Sequence, residues 1–241
     1  MPFSPKRVLA IVAHADDAEL TCAGTLVSLI RLGAQATLLV ATDGARGGKH
    51  VGVDSTVISD VRRAEQQEAA RRLGVSTVVA LPFGDGELRN DGPLREALVE
   101  QIRHVRPDLA IIMDPQTLIY RDVYVNHTDH RELGMAALDA MYPLASNAGY
   151  YPEQLERGLE LHKVPECWLA QTEHPNFWMD VSDSLDTRFD ALRAHRSQVN
   201  LWPEQGEAVI RQHREWASDA GARHGVRYAE QFRRVVVNPL T

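Results

Sequence analysis

Cysteine is scarce in this chain. Cys22 and Cys167 are its only two cysteines in 241 residues. They are too few and too far apart to indicate a disulfide scaffold or a cysteine-based metal knuckle. We therefore expect both to be buried thiols. Disulfide-stabilised scaffolds and proteins built around cysteine-based metal knuckles are excluded.

An excess of positive charge is also missing. The sequence has 26 Lys and Arg residues against 33 Asp and Glu residues, which gives a formal net charge of −7. No basic field is available to hold nucleic acid or an anionic membrane surface. A small neutral or cationic substrate is the better expectation. A homo-oligomer is compatible with the sequence, which does not specify an oligomeric state.

Long apolar runs are absent as well. No stretch of 18 or more apolar residues suggests a membrane span. Residues 1–7 lead directly into the first apolar run without the apolar core of a signal peptide. We therefore expect no membrane span and a cytoplasmic protein. The 44% of hydrophobic residues is enough for a substantial core.

The first half of the chain alternates between strand and helix patterns. Short β-branched runs over residues 8–12, 36–41, 77–81 and 109–113 are typical of buried parallel strands. Helical patterns cover residues 20–32, 59–73 and 93–105, with Ser59 as a helix cap and Gly33 and Gly74 as helix ends. This predicts an α/β fold, a Rossmann-like, mostly parallel sheet with helices on both faces. No Gly-x-Gly-x-x-Gly fingerprint follows the first strand, so nicotinamide binding is not expected.

The periodicity weakens beyond residue 141. Residues 142–158 read as an irregular stretch around a pocket, 166–170 and 177–181 as strands, and 183–199 and 204–220 as helices, the first capped by Asp183. We treat residues 1–241 as one domain, in which an irregular and α/β extension over 142–241 completes a core over 1–141. His195, His213 and His224 have no partner at ligand spacing and are expected on the surface or in packing.

A group of polar residues stands at the carboxyl end of the first strand, where open α/β sheets bind ligands. It contains His14, Asp16 and Asp17. Imidazole nitrogen and carboxylate oxygen are zinc-type ligands, and a tight turn can direct two of them at one ion. The other aspartate could then act as a base beside a metal-bound water. The alternative is a solvated turn in which Asp17 caps a helix and His14 is exposed.

A second cluster, Asn126-His127-Thr128-Asp129-His130, lies about a hundred residues later. An open catalytic zinc site needs three protein ligands. His14 and Asp17 supply two, and either His130 or His127 could supply the third. The remaining histidine would be free to act as an acid or electrostatic group, and Asp129 could fix its tautomer.

At these two places the sequence resembles the PIG-L/LmbE-like family of metal-dependent N-acetylglucosaminyl de-N-acetylases, whose signature is a His-Pro-Asp-Asp turn followed far downstream by His-x-Asp-His. Ala15 replaces the proline of that turn but removes no donor atom. The resemblance continues in the same order through Thr42-Asp43-Gly44-Ala45-Arg46-Gly47-Gly48, Arg62-x-x-Glu65, Leu73-Gly74-Val75 and His195-Arg196-Ser197-Gln198.

Three residues are candidates for contact with a substrate. Arg62 falls in the first turn of the helix predicted over 59–73, where the helix dipole disfavours a cation, and the resemblance implies that this position approaches the substrate; otherwise it is a solvated arginine. Asp85, in a turn after the third strand, could accept hydrogen bonds from sugar hydroxyls or merely satisfy local backbone. Arg46, like Asp43, lies in a long glycine-rich loop over residues 42–57 and is a weaker candidate.

Together these features and the resemblance imply a zinc-dependent hydrolase that removes the acetyl group from an N-acetylglucosamine-type sugar or conjugate. His14, Asp17 and His130 would hold the metal, and Asp16 would deprotonate its water. Protonated His127, oriented by Asp129, would stabilise the tetrahedral oxyanion, and either Asp16 or His127 would protonate the leaving amine. Iron, cobalt or manganese could replace zinc. A metal-dependent phosphoesterase and a non-catalytic sugar-binding module are the alternatives.

Overall fold

Strands and helices alternate through the first half of the chain. The structure, a computed structural model, describes residues 4–47, 54–199 and 203–237. Its first elements are β1 (Arg7–Val12), α1 (Asp17–Thr21), α2 (Ala23–Arg31), β2 (Gln35–Thr42), α3 (Ser55–Leu73), β3 (Thr77–Phe83), α4 (Gly92–Val105) and β4 (Leu109–Met113).

The second half adds a hairpin, further helices and three more strands of the large sheet. Its elements are β5 (Ile119–Tyr120), β6 (Tyr124–Val125), α5 (Thr128–Asp139), a π-helical turn (Ala140–Leu144), α6 (Pro152–Glu156), β7 (Glu166–Ala170), β8 (Phe177–Asp180), α7 (Leu185–Leu192), α8 (Arg196–Val199), α9 (Pro203–His224) and β9 (Ala229–Val236).

Seven strands form one sheet in the order β3-β2-β1-β4-β7-β9-β8. The pairs from β3 to β7 are parallel, and β9 is antiparallel to both of its neighbours. The predicted α/β, mostly parallel fold is therefore confirmed. Because β1 and β4 are adjacent and parallel, the residues that follow these two strands lie at the same edge of the sheet.

Both faces of the sheet are covered, which explains the unbroken apolar runs of its strands. Successive residues of β1 point to opposite faces. Leu9 and Ile11 belong to an apolar layer that includes Leu98 of α4. Val8 belongs to the opposite layer, which includes Leu26 of α2. The two cysteines predicted to be buried are buried and free, one in each layer.

Two helix predictions are wrong at their N-terminal ends. The helix predicted over 20–32 is two helices, because the backbone leaves the helical region at Cys22 with a φ of −142°. The helix predicted to start at Ser59 begins at Ser55. Asp54 caps it, accepting a backbone N–H of the first turn at 2.9 Å. Arg62 is consequently two turns inside α3, so the dipole argument for a ligand at this position does not apply.

The C-terminal predictions need three corrections. The helix predicted over 183–199 is interrupted between α7 and α8, and its N-cap is Ser184 rather than Asp183. Strand β9 was not predicted, because Glu230, Arg233 and Arg234 interrupt its apolar pattern.

Residues 48–53 of the predicted loop lie outside the described residues. Among the described helices, none combines the length and the apolar character needed to cross a bilayer.

Candidate metal centre and active site

The two polar clusters meet at the carboxyl edge of the sheet. His14 follows β1, and Asp17 opens α1. His130 lies in the first turn of α5, which the chain enters after the β5–β6 hairpin. Parallel pairing of β1 and β4 brings the ends of these segments together across more than a hundred residues of sequence.

Three side chains converge at this edge, and Asp17 takes part with both of its carboxylate oxygens. His14 Nδ1 lies 3.5 Å from Asp17 Oδ2 and 3.3 Å from His130 Nε2, and His130 Nε2 lies 3.2 Å from Asp17 Oδ1. Tetrahedral ligands at about 2.0–2.1 Å from zinc are about 3.3 Å apart. The three side chains are also buried, with exposed fractions of 8%, 5% and 3%. They form one of two groups in the described residues that could hold a metal ion, and their spacing fits a divalent cation.

The ring nitrogens that face away from this group are also held. His14 Nε2 lies 3.1 Å from Asp129 Oδ2 and 3.1 Å from Asp85 Oδ1. His130 Nδ1 lies 3.0 Å from the side-chain oxygen of Asn126. Metal-ligating histidines usually donate their second N–H to a carboxylate or carbonyl in this way, which fixes the tautomer and the ring orientation.

The electrostatics of the site favour a cation. Burial lowers the pKa of His14, but hydrogen bonds to Asp129, Asp17 and Asp85 outweigh burial and raise its pKa to about 12. Burial raises the pKa of Asp17, and His130 and His14 hold it well below its usual range. Carboxylates that raise the pKa of an imidazole so far also attract a cation.

Asp16 lies beside the three candidate ligands and borders an open pocket. Its backbone is left-handed, with a φ of 96°. Burial raises the pKa of its carboxyl group to about 6, although the Arg62 guanidinium, 3.5 Å away, acts to lower it. The pocket has a volume of about 280 Å³, and its lining residues are His14, Asp16, Arg46, Gly47, Arg62, Asp85, Gly86 and His127.

His127 lines the same pocket but does not join the three donor atoms. It is the N-cap of α5, where its Nδ1 accepts the backbone N–H of Asp129 at 3.2 Å. The expectation that the Asp129 carboxylate fixes the His127 tautomer needs correction. That carboxylate is 3.9 Å from His127 Nδ1 but 3.1 Å from His14 Nε2, and it also accepts the backbone N–H groups of Gly86 and Leu88.

The residues predicted to contact a substrate all line the pocket, but each is already held by the protein. Arg62 is buried and donates to the carbonyls of Ala15 at 2.6 Å and Gly44 at 3.1 Å. Asp85 faces His14 and accepts the Arg46 backbone N–H at 3.0 Å. The Arg46 side chain donates to the Asp85 carbonyl at 2.7 Å and contacts the Glu87 carboxylate, and it lines the pocket.

Comparison with known families agrees with this geometry. The family model of PIG-L, described as GlcNAc-PI de-N-acetylase, matches residues 9–141, more than half of the chain. The chain belongs to the PIG-L family. The resemblance seen in the motifs is thereby confirmed, and the chain is a deacetylase.

Relatives of this PIG-L protein match it over nearly its whole length. It is 32% identical to diacetylchitobiose deacetylase of Thermococcus kodakarensis, over 96% of this chain and 84% of that protein. It is 27% identical to 1D-myo-inositol 2-acetamido-2-deoxy-alpha-D-glucopyranoside deacetylase of Rhodococcus erythropolis, over 87% of each chain. The structure of N,N'-diacetylchitobiose deacetylase from Pyrococcus horikoshii, complexed with its inhibitor MPG, superposes with a TM-score of 0.86 at 28% identity, covering 98% of this chain and 88% of that one.

Around the site of this PIG-L protein lie polar residues to which the sequence analysis assigned no role in the site. Asn126 orients His130, and Gln66 and Glu19 lie buried behind the Asp16 turn. His195, expected on the surface or in packing, is fully buried with Nε2 3.5 Å from Glu19. For Gln66, the spacing in the sequence could have indicated its position. It follows Arg62 by one helical turn and therefore lies on the same face of α3.

Proposed function

We propose that this chain is a metal-dependent deacetylase that removes the acetyl group from an N-acetylglucosamine-type sugar or conjugate. One observation carries the proposal: the donor atoms of His14, Asp17 and His130 form a metal-sized triangle, and Asp16 and His127 border the adjoining pocket. The relatives that span most of the chain act, by their names, on acetylated glucosamine derivatives, which supports this substrate class.

The proposed metal is zinc, held by two imidazole nitrogens and one carboxylate. This is a donor set of catalytic zinc sites, although other divalent transition metals use the same ligands. When bound, such an ion supplies Lewis acidity, which acidifies a water molecule and polarises an acetyl carbonyl. Asp129 and Asp85 hold His14 in the orientation that presents Nδ1 to the ligand group. Their proposed contribution is therefore ligand positioning.

Asp16 is the proposed general base. Its carboxylate lies next to the ligand Asp17 and borders the pocket. A base works best when its pKa is close to the operating pH. Burial raises the pKa of Asp16 to about 6. The carboxylate can therefore take a proton from the attacking water near neutral pH and hold it for transfer to the leaving amine.

His127 is the proposed hydrogen-bond donor to the oxyanion. Its Nδ1 accepts a backbone N–H, so the proton of the neutral ring resides on Nε2. Burial and the neighbouring His14 lower the pKa of His127, which also favours the neutral ring over the protonated form first expected. A neutral ring can donate a hydrogen bond to the developing oxyanion. The neutral His127 ring has only this one proton, which it donates to the oxyanion. Asp16, which has taken the proton of the water, is therefore the better proton source for the amine.

Arg46, Arg62 and Asp85 form the wall and rim of the pocket. We propose that the more exposed Arg46 contacts the sugar directly. The buried Arg62 and Asp85 would contact the substrate mainly at the acetamido end, beside Asp16 and His14. Truncation of Arg46 should then raise the Michaelis constant more than it lowers the turnover number.

Product analysis tests the function. The purified protein, as isolated and after chelation and reloading with zinc, is incubated with N,N'-diacetylchitobiose, an N-acetylglucosaminyl inositol, free N-acetylglucosamine and p-nitrophenyl phosphate. Release of acetate from at least one sugar, lost on chelation and restored by zinc, is the expected result. Release of phosphate alone would indicate a phosphoesterase. Sugar binding without any release would indicate a binding module.

A further inference from the structure

Both polar atoms of the peptide group between Ala15 and Asp16 are held by side chains of α3. The Arg62 guanidinium donates to the Ala15 carbonyl at 2.6 Å, and the Gln66 side-chain oxygen accepts the Asp16 N–H at 3.3 Å. Arg62 and Gln66 are one helical turn apart and so project from one face of α3. Both are buried, with exposed fractions of 4% and 2%. The peptide plane is therefore clamped at its two ends.

The clamp matters because Asp16 is left-handed. A φ of 96° is unfavourable for a residue with a β-carbon and persists only where the surroundings impose it. The angle φ of Asp16 is the rotation about its N–Cα bond, which joins the clamped peptide group to the α-carbon. On the other side, the Asp16 carbonyl accepts the N–H of Leu20 as α1 begins. Fixing the peptide on one side and the helix on the other fixes the direction in which the Asp16 side chain leaves the backbone, and Arg62 lies 3.5 Å from its carboxylate. Ala15 carries no proline ring to restrict the turn.

Glu19 determines which way the Gln66 amide is turned. Gln66 Nε2 donates to Glu19 Oε1 at 3.2 Å. A carboxylate oxygen accepts hydrogen bonds, so it selects the orientation in which the amide nitrogen faces Glu19 and the amide oxygen faces the Asp16 N–H. Glu19 is itself fully buried, and its backbone carbonyl accepts Arg188 Nε at 2.6 Å. The orientation is therefore set from within the core.

We propose that Gln66 is a positioning residue of this enzyme, which keeps the catalytic carboxylate of Asp16 in place by holding the Ala15–Asp16 peptide. The inference deepens the proposed function, since it rests on Asp16 being the base. Gln66 is not among the residues that line the pocket, and its side-chain hydrogen bonds go to Asp16 and Glu19 rather than to His14, Asp17 or His130. Its loss should therefore lower turnover without lowering metal content.

The test replaces Gln66 by methionine, which has a similar volume but neither the acceptor nor the donor. Gln67→Met, at the neighbouring exposed position of α3, is the matched control. Gln66→Met should lower kcat about 10- to 100-fold, since misplacement of a reacting group by about 1 Å can cost about 100-fold. KM and bound metal per chain should stay within about twofold, and Gln67→Met should match the wild type. A crystal structure of Gln66→Met should show Asp16 displaced from its left-handed φ.

Gln66→Asn provides a second variant if Gln66→Met does not fold. Its amide is one methylene shorter and cannot reach the Asp16 N–H, so the same loss of kcat is expected. An unchanged kcat in a folded Gln66 variant, or a loss matched by a loss of bound metal, overturns the proposal. If the wild type releases no acetate, the proposed function fails separately. The variant crystal structure then decides the clamp, and an unchanged φ at Asp16 overturns it.

Discussion

Two histidines only three positions apart serve different parts of the site because of where α5 begins. His127 is the N-cap, and its Nδ1 is occupied by a backbone N–H of the first turn. His130 lies inside that turn and directs Nε2 at His14 and Asp17. The start of a helix thus determines which imidazole joins His14 and Asp17 and which lines the pocket.

A first prediction concerns the ligands. His14→Ala, Asp17→Ala and His130→Ala should each lose about one equivalent of bound metal, because three protein ligands are the usual number for a catalytic zinc site. His127→Ala should retain the metal. Metal analysis of the purified variants measures this directly. Loss in His127→Ala with retention in His130→Ala would reverse the assignment of the two histidines.

A second prediction concerns the base. Asp16→Asn removes proton acceptance but keeps the shape of the side chain, and asparagine tolerates the left-handed conformation. Bound metal and KM should change little, whereas kcat for deacetylation should fall by about 10²–10⁴-fold. The exposed Asp60→Asn is the control and should match the wild type. Wild-type turnover in Asp16→Asn would show that Asp16 is structural.

At the scale of elements, one arginine organises the segment that the sequence left irregular. Arg103 of α4 is almost fully buried. Its guanidinium donates to the Gln154 side chain and to five backbone carbonyls, those of Leu144, Ala145, Asn147, Tyr150 and Tyr151. A single side chain therefore satisfies much of the backbone between the π-helical turn and α6.

A third prediction follows from this arrangement. Arg103→Met keeps an apolar stem in the core but leaves the carbonyls of the buried Leu144 and Ala145 without this donor, each worth about 1–3 kcal/mol when unsatisfied. The free energy of unfolding should fall by about 3 kcal/mol, and backbone hydrogen exchange should become faster over residues 144–154. Arg95→Met, on the same helix but partly exposed, is the control. Equal destabilisation by both substitutions would contradict the special role of Arg103.

At the scale of the whole molecule, Arg188 of α7 joins the first and last parts of the chain. It donates to the carbonyls of Glu19 and Leu20, at 2.6 and 2.7 Å, where α1 ends. It also pairs with Glu230 of β9 at 2.9 Å and donates to Nδ1 of His213 in α9 at 3.1 Å. The C-terminal elements are thereby fastened directly behind the turn that carries the site.

A fourth prediction is a dependence of stability on pH. Burial and the positive charge of Arg188 lower the pKa of His213 to about 3 from its ordinary 6.5. As the pH falls below about 6.5, His213 binds a proton in the unfolded chain but stays neutral in the folded chain. The free energy of unfolding therefore decreases between about pH 6.5 and pH 3. Between pH 7 and pH 5 this amounts to about 2 kcal/mol.

Urea unfolding at pH 7 and pH 5 measures this contribution. His213→Gln should lose about 2 kcal/mol less than the wild type between the two pH values. The exposed His104→Gln should behave as the wild type does. If the wild type and His213→Gln lose the same free energy, His213 binds its proton in the folded protein at an ordinary pH.

The sequence by itself determined six of the seven strands of the sheet and the main candidate residues of the site. Short apolar runs with β-branched residues located β1, β2, β3 and β4, and short aromatic and apolar runs located β7 and β8, because an apolar run is a local signal. The position of His14, Asp16 and Asp17 directly after β1 then predicted a site at the sheet edge, and a metal's need for a third ligand directed attention to His127 and His130.

Only the tertiary structure decided how these residues are arranged. Asp129 contacts His14 rather than orienting His127, Arg62 holds the Asp16 turn from two turns inside α3, and Gln66 completes that hold. Strand β9 joins the sheet despite its charged residues, because Glu230 meets Arg188 and Arg234 meets Glu166. Each of these contacts joins residues more than 40 positions apart, and patterns of local periodicity carry no information about such pairs.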